Sequence, residues 1–393
     1  MTHRWRWPAR VCGVSPARCR GIAMAAVVAA APAVGGTLPG AVAQAHGSGD
    51  AVRQGLHRLV REDRYPAALA AVAGRDGYHR NYTAGVADVR TGARVPVDGQ
   101  VRAASNTKAF TATVVLQLVG EGRVALDAPV ERYLPGLVRG EGIDGRRITV
   151  RQLLQHTSGL PNYTEFLGDF ATYRHAHLRP RALLDLALAH RAVFAPGTGW
   201  SYSNTNYLLA GLLVEKVTGR PLAEQITRRV IDRIGLRHTY LPGVGDERLR
   251  AAHPEGYVPA KGGGPLVDVT EMDTSWAWAV GQLVSTPGDL NRFFTALFGG
   301  ELLRPAQLAQ MRTTVPVGTG LWPGARYGLG VISTPLRCGG LMWGHGGDIP
   351  GYRTRTGVTD DGRAVTVAVT ADPAPVAQHP DDSPAFLDRV LCR

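Results

Sequence analysis

The hydrophobic pattern at the start of the folded region predicts one helix followed by two strands. From Asp50 onward, apolar residues recur at helical spacing, and Asp50 is of a type that caps helices. Two runs with strand-like composition follow, at 67–72 and 78–86. An Arg-Asp-Gly turn signal at 75–77 separates them, so we expect an antiparallel hairpin.

Between about 105 and 295 the pattern becomes mostly helical, and beyond Tyr327 it returns to short strand-like runs. Gly219 and Gly235 follow two of the helical runs and suit helix termination. The predicted helices span 105–119, 149–155, 181–190, 205–217, 221–233, 288–297 and 383–391. The predicted later strands span 328–333, 341–344, 352–358 and 364–370.

Strands therefore lie near both ends of the chain, and helices lie between them. This order favours an α/β fold in which one antiparallel sheet, built from both chain ends and flanked by helices, carries an inserted, mostly helical domain. We assign 46–104 and 280–393 to the sheet domain and 105–279 to the helical domain. The length of 393 residues accommodates two such lobes.

The first 45 residues have the pattern of an export signal. Basic residues up to Arg20 precede an apolar run at 22–34, and small residues offer cleavage after Ala43 or Ala45. The alternative is an N-terminal membrane anchor, but the run is short and is interrupted by Pro32. We expect a secreted, extracellular protein without stable membrane insertion.

The basic balance of the chain comes partly from this first segment. Removing its five arginines from the 44 basic residues leaves 39 against 32 acidic residues, which lowers the net charge from +12 to +7. The remaining arginines are scattered, and no nucleic-acid-binding motif accompanies them. We therefore expect no nucleic-acid partner, and we expect a monomer.

Two of the four cysteines, Cys12 and Cys19, fall within the predicted signal. Cys338 and Cys392 remain. An even pair in an exported protein suggests a disulfide, and the alternative is two separate buried thiols.

The strongest chemical signal is Ser105-Asn106-Thr107-Lys108. Residues i and i+3 of a helix share a face, with Cβ atoms about 5–6 Å apart, so the Lys108 amine can reach the Ser105 hydroxyl. A serine needs a neighbouring base, and a lysine can be that base if burial lowers its pKa. The chain has only three lysines, so a chance match is uncommon. The alternative is a plain helix start with Ser105 as its N-cap.

Two further motifs carry candidate functional groups, although each is weak alone. Tyr202-Ser203-Asn204 closes a loop before a helix. A tyrosine near a lysine can relay a proton to a leaving group, and an asparagine amide can hold a substrate amide. His345-Gly346-Gly347 follows a strand, and its glycines would let a substrate backbone approach an edge strand. The alternatives are a helix-capping loop and a structural turn.

The segment 156–160 places His156 close to Ser158. No strand–turn–helix pattern surrounds this serine, so we interpret the segment as a loop anchor. The sequence has no zinc-protease motif, no cysteine ligand cluster and no phosphate-binding glycine loop. We expect neither a metal nor a cofactor.

In this order and spacing, the three motifs resemble the serine hydrolase family of class C β-lactamases and D-alanyl-D-alanine carboxypeptidases, the penicillin-recognising fold. The similarity runs from about 55 to 392 and includes the stretches 153–160, 202–207 and 285–290. It implies catalytic and substrate-binding roles for eight residues. The implied catalytic residues are Ser105, Lys108, Tyr202 and His345, and the implied substrate-binding residues are Asn204, Trp276, Gly347 and Asp348.

By this resemblance, Ser105 forms the acyl-enzyme, while Lys108 and Tyr202 share the general-base and general-acid work. The backbone N–H groups of Ser105 and Asp348 would form the oxyanion hole. His345 stands where many relatives carry a lysine on the edge strand. Because glycines flank His345, we expect it to reach the substrate side of the cleft and to change charge between about pH 5 and 8.

The resemblance implies a D-alanyl-D-alanine carboxypeptidase that acts on a peptidoglycan-type peptide or another small acyl substrate and reacts with β-lactams, and the export signal predicts that it is secreted. Family carboxypeptidases commonly carry a hydroxyl residue in the middle of the third motif, where this chain has Gly346. Some also use an arginine on the preceding strand, and here the nearest is Arg337. A class C-like β-lactamase, an esterase, another peptidase specificity and a non-catalytic β-lactam- or peptide-binding relative therefore stay open.

Overall fold

The structure, a computed structural model, describes residues 40–260, 264–318, 321–372 and 383–393, with side chains from Asp50 onward. Most of the predicted export signal, 1–39, lies outside the described residues. Within the described ranges, no helix is both long and apolar enough to cross a membrane.

Among the described residues, strands from both ends of the chain form one large antiparallel sheet, and the remaining strands form three small two-stranded sheets. In chain order the strands are β1 (Ala67–Ala73), β2 (His79–Asp88), β3 (Ala93–Arg94), β4 (Val101–Arg102), β5 (Arg139–Gly140), β6 (Ile143–Asp144), β7 (Tyr257–Ala260), β8 (Gly264–Asp268), β9 (Val284–Ser285), β10 (Val315–Pro316), β11 (Arg326–Tyr327), β12 (Ile332–Pro335), β13 (Leu341–Gly344), β14 (Gly346–Ile349), β15 (Tyr352–Thr359) and β16 (Ala364–Val369). The large sheet has the order β10-β11-β12-β13-β15-β16-β1-β2-β3, with β14 also on β15.

One edge of β15 explains the position of the third motif. Strands β13 and β14 lie one after the other along this edge, because β13 pairs near Val358 and β14 pairs near Arg355. His345 lies at the break between them, and its carbonyl still accepts a hydrogen bond from the Thr356 N–H at 3.2 Å. A Cβ on Gly344 would lie 2.0 Å from the Thr356 carbonyl oxygen, so only glycine fits before this break.

Helices pack on both faces of the large sheet. They are α1 (Gly40–Arg61), α2 (Thr107–Gly120), α3 (Val150–Leu154), α4 (Phe170–Tyr173), α5 (Pro180–Leu188), α6 (Asn204–Thr218), α7 (Leu222–Ile226), α8 (Asp232–Ile234), α9 (Trp278–Gly281), α10 (Pro287–Phe298), α11 (Pro305–Met311) and α12 (Ser383–Leu391). A π-helical turn, Thr227–Ile231, joins α7 to α8, and short 3₁₀ turns lie at Ala104–Asn106, Val130–Arg132 and Tyr163–Phe166.

Alternate residues of the central strands face two different cores. Leu69 of β1 faces the larger core, where α2 packs on α10 through the stacked rings of Phe110 and Phe293. Ala70 and Val367 face a smaller core beneath α1 and α12. Two-sided burial explains why β1 is apolar along its whole length and why β16 is apolar except at Thr366.

The predicted α/β fold, with an antiparallel sheet built from both chain ends, is confirmed. Gly219 and Gly235 take the left-handed conformation at helix ends, as predicted. Some predicted boundaries were wrong. Helix α1 begins at Gly40, so Asp50 lies inside it, and the predicted strand 328–333 is replaced by β12, because Gly330 (φ +80°) turns the chain. The division into domains at 105 and 279 stays a prediction.

Cys338 and Cys392 form the disulfide that the cysteine count suggested. The bridge joins the turn between β12 and β13 to the end of α12. The backbone of Arg337 also donates to Asp388 of α12 at 2.8 Å. The last helix is therefore fastened to the sheet at its C-terminal end.

Candidate active site

Ser105 lies in the 3₁₀ turn between β4 and α2, not within the α-helix that the sequence predicted. Ala104 has a positive φ of 48°, which is a strained conformation for a residue with a side chain. The Asn106 amide fixes the turn by donating to the Ala103 carbonyl at 2.9 Å and to Thr354 Oγ1 of β15 at 2.7 Å. The Ser105 hydroxyl contacts Lys108 and caps no helix, so Ser105 is not the plain N-cap that the alternative proposed.

Lys108 is completely buried and lies one turn after Ser105. Its Nζ is 2.8 Å from Ser105 Oγ and 2.9 Å from the Val280 carbonyl oxygen. Burial lowers the pKa of Lys108 well below its ordinary value, and the charge of Asp348 only partly opposes that shift. A neutral amine can donate to Val280 and accept the Ser105 proton, which is the arrangement a general base needs.

Tyr202 lies next to both residues. Its ring centre is 5.0 Å from Lys108 Nζ, and its hydroxyl shares a hydrogen bond with Ser105. Burial raises the pKa of Tyr202, an effect that this hydrogen bond with Ser105 partly offsets. The phenol is therefore protonated near neutral pH and is placed to give or take a proton. The structure thus brings together Ser105, Lys108 and Tyr202, which lie up to 97 residues apart in the sequence.

Strand β14 approaches the Ser105 turn closely through Gly347. A Cβ at this position would lie 2.2 Å from the Ala103 carbonyl oxygen and 2.8 Å from Thr354 Oγ1. Glycine is required here because a side chain would push the strand away from the turn. The next residue, Asp348, has the backbone N–H assigned to the oxyanion hole, and that assignment stays a prediction.

Two arginines at this edge were missed by the sequence reasoning. Arg355 lies on β15 directly across from Gly346, is almost buried, and donates to Asp348 at 2.9 and 3.2 Å. Arg353 lies 2.9 Å from the same carboxylate, whose side chain remains half exposed. The alternation of Arg353 and Arg355 in the predicted strand 352–358 was the signal, because i and i+2 share one face of a strand.

His345 differs most from the expectation. Only 3% of its surface is exposed, and its Nε2 lies 3.0 Å from Tyr327 Oη. Burial lowers the pKa of His345 to about 3. The expectation that His345 changes charge between pH 5 and 8 was therefore wrong, since a histidine with this pKa is neutral throughout that range. Flanking glycines allow close packing of a side chain as well as its exposure, so they did not determine whether His345 is buried.

His156 is also fully buried, with its ring centre 4.3 Å from that of Tyr202. Nearby, Ser158 accepts from the Leu160 N–H at 3.1 Å and donates to Asn206 at 2.5 Å. This geometry suits a loop anchor, and Ser158 has no base positioned to activate it because its hydroxyl bonds to an amide. His156 faces the tyrosines of the cleft, a contact that no local pattern in the sequence indicates.

Asn204 and Trp276 flank the catalytic group on the helical side. The Asn204 side chain donates to Thr164 Oγ1 at 3.2 Å at the start of α6. Trp276 immediately precedes the segment that supplies the Val280 carbonyl, and its ring packs edge-on against Tyr173 at 5.5 Å. Its buried indole N–H has no hydrogen-bond partner among the described residues. The substrate-binding roles of both residues stay predictions.

Comparison with known proteins decides the family. The family model described as Beta-lactamase matches residues 50–389. The chain belongs to the beta-lactamase family. It is thus a serine hydrolase of that family, and its resemblance to penicillin-recognising enzymes is confirmed.

The relatives within the family differ in their named activities. Esterase EstB of Burkholderia gladioli is 35% identical over 211 residues, 51% of this chain and 53% of that protein. Penicillin-binding protein 4* of Bacillus subtilis is 28% identical over 305 residues, 73% of this chain and 63% of that protein. This chain thus spans between half and two-thirds of the length of these two curated relatives. A D-stereospecific amidohydrolase structure from Streptomyces sp. is 40% identical, with a TM-score of 0.77, over 84% of this chain and 96% of that chain.

Proposed function

We propose that this protein hydrolyses the amide or ester bond of a small D-configured aminoacyl compound through an acyl-enzyme on Ser105. The observation that carries the proposal is the buried Ser105–Lys108 pair, 2.8 Å apart, with a lysine whose pKa is lowered by burial. The D-configuration is supported by the likeness to the D-stereospecific amidohydrolase, which extends over most of both chains.

In the acylation step, Ser105 Oγ attacks the substrate carbonyl carbon while its proton passes to the Lys108 amine. The carbonyl oxygen becomes an oxyanion that accepts from the backbone N–H groups of Ser105 and Asp348. As the bond to the leaving nitrogen or oxygen breaks, Tyr202 donates its proton to that atom and regains one from the Lys108 ammonium. Deacylation reverses these transfers. Tyr202 passes its proton to Lys108 and takes one from the attacking water, and Lys108 then returns a proton to Ser105 Oγ as the acid leaves.

The leaving-group side of the cleft supports an uncharged or small leaving group. Position 346 has no hydroxyl to hold a terminal carboxylate, and the nearby Arg355 is already neutralised by Asp348 at 2.9 Å. An ammonia, amine or alcohol leaving group requires neither contact. We therefore favour an amidase or esterase activity over a carboxypeptidase activity.

A D-alanyl-D-alanine carboxypeptidase is the second candidate, and one observation favours it. Arg355 lies on β15 directly across from Gly346 of β14, the edge strand that would bind a peptide terminus. If a substrate carboxylate displaced Asp348, Arg355 would become its bidentate partner. The likeness to penicillin-binding protein 4* supports this candidate and also supports reaction with β-lactams. We further propose that the protein acts outside the cell after export.

Initial rates with three substrates distinguish the candidates: D-phenylalanine amide, a D-phenylalanine ester, and an N-acylated D-Ala-D-Ala peptide. We expect the first two to be hydrolysed with much the larger kcat/KM, and the matching L-amide to be a poor substrate. Ser105→Ala serves as the inactive control. Preferential cleavage of the peptide would transfer the assignment to the carboxypeptidase, and equal rates on D- and L-amides would contradict the stereochemical part.

A further inference from the structure

A buried chain of three side chains lies behind the catalytic residues. Tyr327 Oη is 3.2 Å from His156 Nε2 and 3.0 Å from His345 Nε2. All three residues are almost completely buried, and they come from the loop after α3, from β11 and from the break between β13 and β14. None of the proton transfers proposed above uses these three side chains. His156, at one end, contacts Tyr202, and His345, at the other end, immediately precedes β14.

The hydrogen bonds around His156 fix which of its nitrogens carries the proton. The Ser203 backbone N–H and the Asn206 Nδ2 both point at Nδ1, at 3.2 and 3.1 Å. Ser158 donates to the other side of the Asn206 amide at 2.5 Å, which holds the amide in that orientation. With two donors facing it, Nδ1 must be an acceptor, so the proton lies on Nε2 and is donated to Tyr327.

The opposite assignment follows at His345. Its Nδ1 faces the carbonyl oxygen of Gly346, so Nδ1 must carry the proton and donate it. Nε2 is then an acceptor and takes the hydroxyl proton of Tyr327, because the reverse arrangement would bring two lone pairs together 3.0 Å apart. The adjacent Tyr207 donates its own proton to the Leu154 carbonyl at 2.8 Å and supplies none to the chain.

We propose that His156 and Tyr327 are positioning residues for the acyl transfer proposed above, because together they hold His345 in its Nδ1–H form. In that form His345 fixes the break before β14, and with it the Gly347–Asp348 backbone that lies against the Ser105 turn. The hydrogen bond to Tyr327 also holds the His156 ring against Tyr202.

The hydrogen bonds from His156 through Tyr327 to His345 keep one direction of donation because both histidines stay neutral. Burial lowers the pKa of both, that of His345 to about 3. A proton added to either ring would place two donors against one another. The arrangement is therefore a fixed support rather than a switch, and the inference rests on the proposed function only for its catalytic consequence.

Nitrogen NMR of the resting, ¹⁵N-histidine-labelled protein tests the arrangement without any substrate. We expect two neutral, non-titrating histidines of opposite tautomer between pH 5 and 8, assigned by their loss in His156→Gln and His345→Gln. The same tautomer at both sites, or titration of either in that range, would overturn the proposal. This result does not depend on whether Ser105 is acylated, so its failure differs from failure of the proposed function.

The catalytic consequence is tested with Tyr327→Phe, which removes only the bridging hydroxyl. The acylation rate should fall about tenfold at unchanged KM, the effect expected for losing one hydrogen bond to a buried group. In a His345→Ala background the same change should alter the rate by less than about twofold, because coupled residues are not additive. Tyr133→Phe, which removes a part-buried hydroxyl that accepts from the Ala125 N–H at 2.7 Å, is the control and should leave the rate unchanged. Full activity of Tyr327→Phe, or multiplicative effects in the double variant, would refute a positioning role.

Discussion

Replacing Lys108 with methionine separates catalysis from stability at the centre of the site. Methionine fills a similar volume but removes the base that lies 2.8 Å from Ser105 Oγ. Loss of a positioned general base lowers rates by about 10²–10⁴-fold, or about 3–5 kcal/mol in the barrier. Acylation by a chromogenic ester should therefore almost disappear, while the variant still folds.

The stability of the same variant should depend on pH with a sign fixed by burial. Because the folded pKa of Lys108 is lowered, the unfolded chain binds one more proton between that pKa and the ordinary lysine value of about 10.4. Wild-type stability therefore rises with pH in this window, by up to about 1.4 kcal/mol per pH unit relative to the variant. The donor lost at Val280 adds an offset of about 1–3 kcal/mol that is the same at every pH.

Urea unfolding of both proteins at several pH values between 6 and 10 measures that slope directly. Lys216→Met is the matched control, since Lys216 is exposed near the end of α6 and should give curves parallel to the wild type. If Lys108→Met also gives parallel curves, the native lysine is charged, and the general-base reasoning fails even if activity is lost.

Three further outcomes follow from particular contacts. Tyr202→Phe should slow acylation by about 10²-fold or more without large loss of stability, because it removes one proton-transfer group, and stopped-flow acylation measures this. Gly347→Ala should reduce acylation and also destabilise the fold by about 1–3 kcal/mol, because its Cβ would meet the Ala103 carbonyl, and unaltered thermal unfolding would contradict that steric argument. Replacing Cys338 and Cys392 together with serine should lower the unfolding free energy by about 4 kcal/mol in the chain-entropy model, given their separation of 54 residues, and leave acylation intact.

The sequence predicted the parts of the site that depend on local spacing. The reach from Lys108 to Ser105 follows from helical geometry, and the loop before α6 could be recognised from its proline and glycines. The sheet from both chain ends was predicted because strand-like runs lie near both ends of the chain and helices lie between them. The Ser105 turn was harder, because a 3₁₀ turn and the first turn of an α-helix have the same sequence pattern.

Contacts between distant segments could not be predicted. The burial of His345 depends on Tyr327 and His156, which lie 18 and 189 residues away in the chain. Arg355 reaches Asp348 only because β14 folds back on β15. Local patterns report which face of a strand or helix a residue occupies, but they do not report which segment covers that face.

The central claim is that Ser105 is the nucleophile, and covalent labelling tests it most directly. The protein and its Ser105→Ala variant would each be treated with a fluorophosphonate, which forms an adduct that does not turn over, and then analysed by intact mass and peptide mapping. We predict one adduct per chain, located on the peptide that contains Ser105, and no adduct on the folded variant. An unlabelled wild-type protein, or equal labelling of Ser105→Ala, would contradict the assignment.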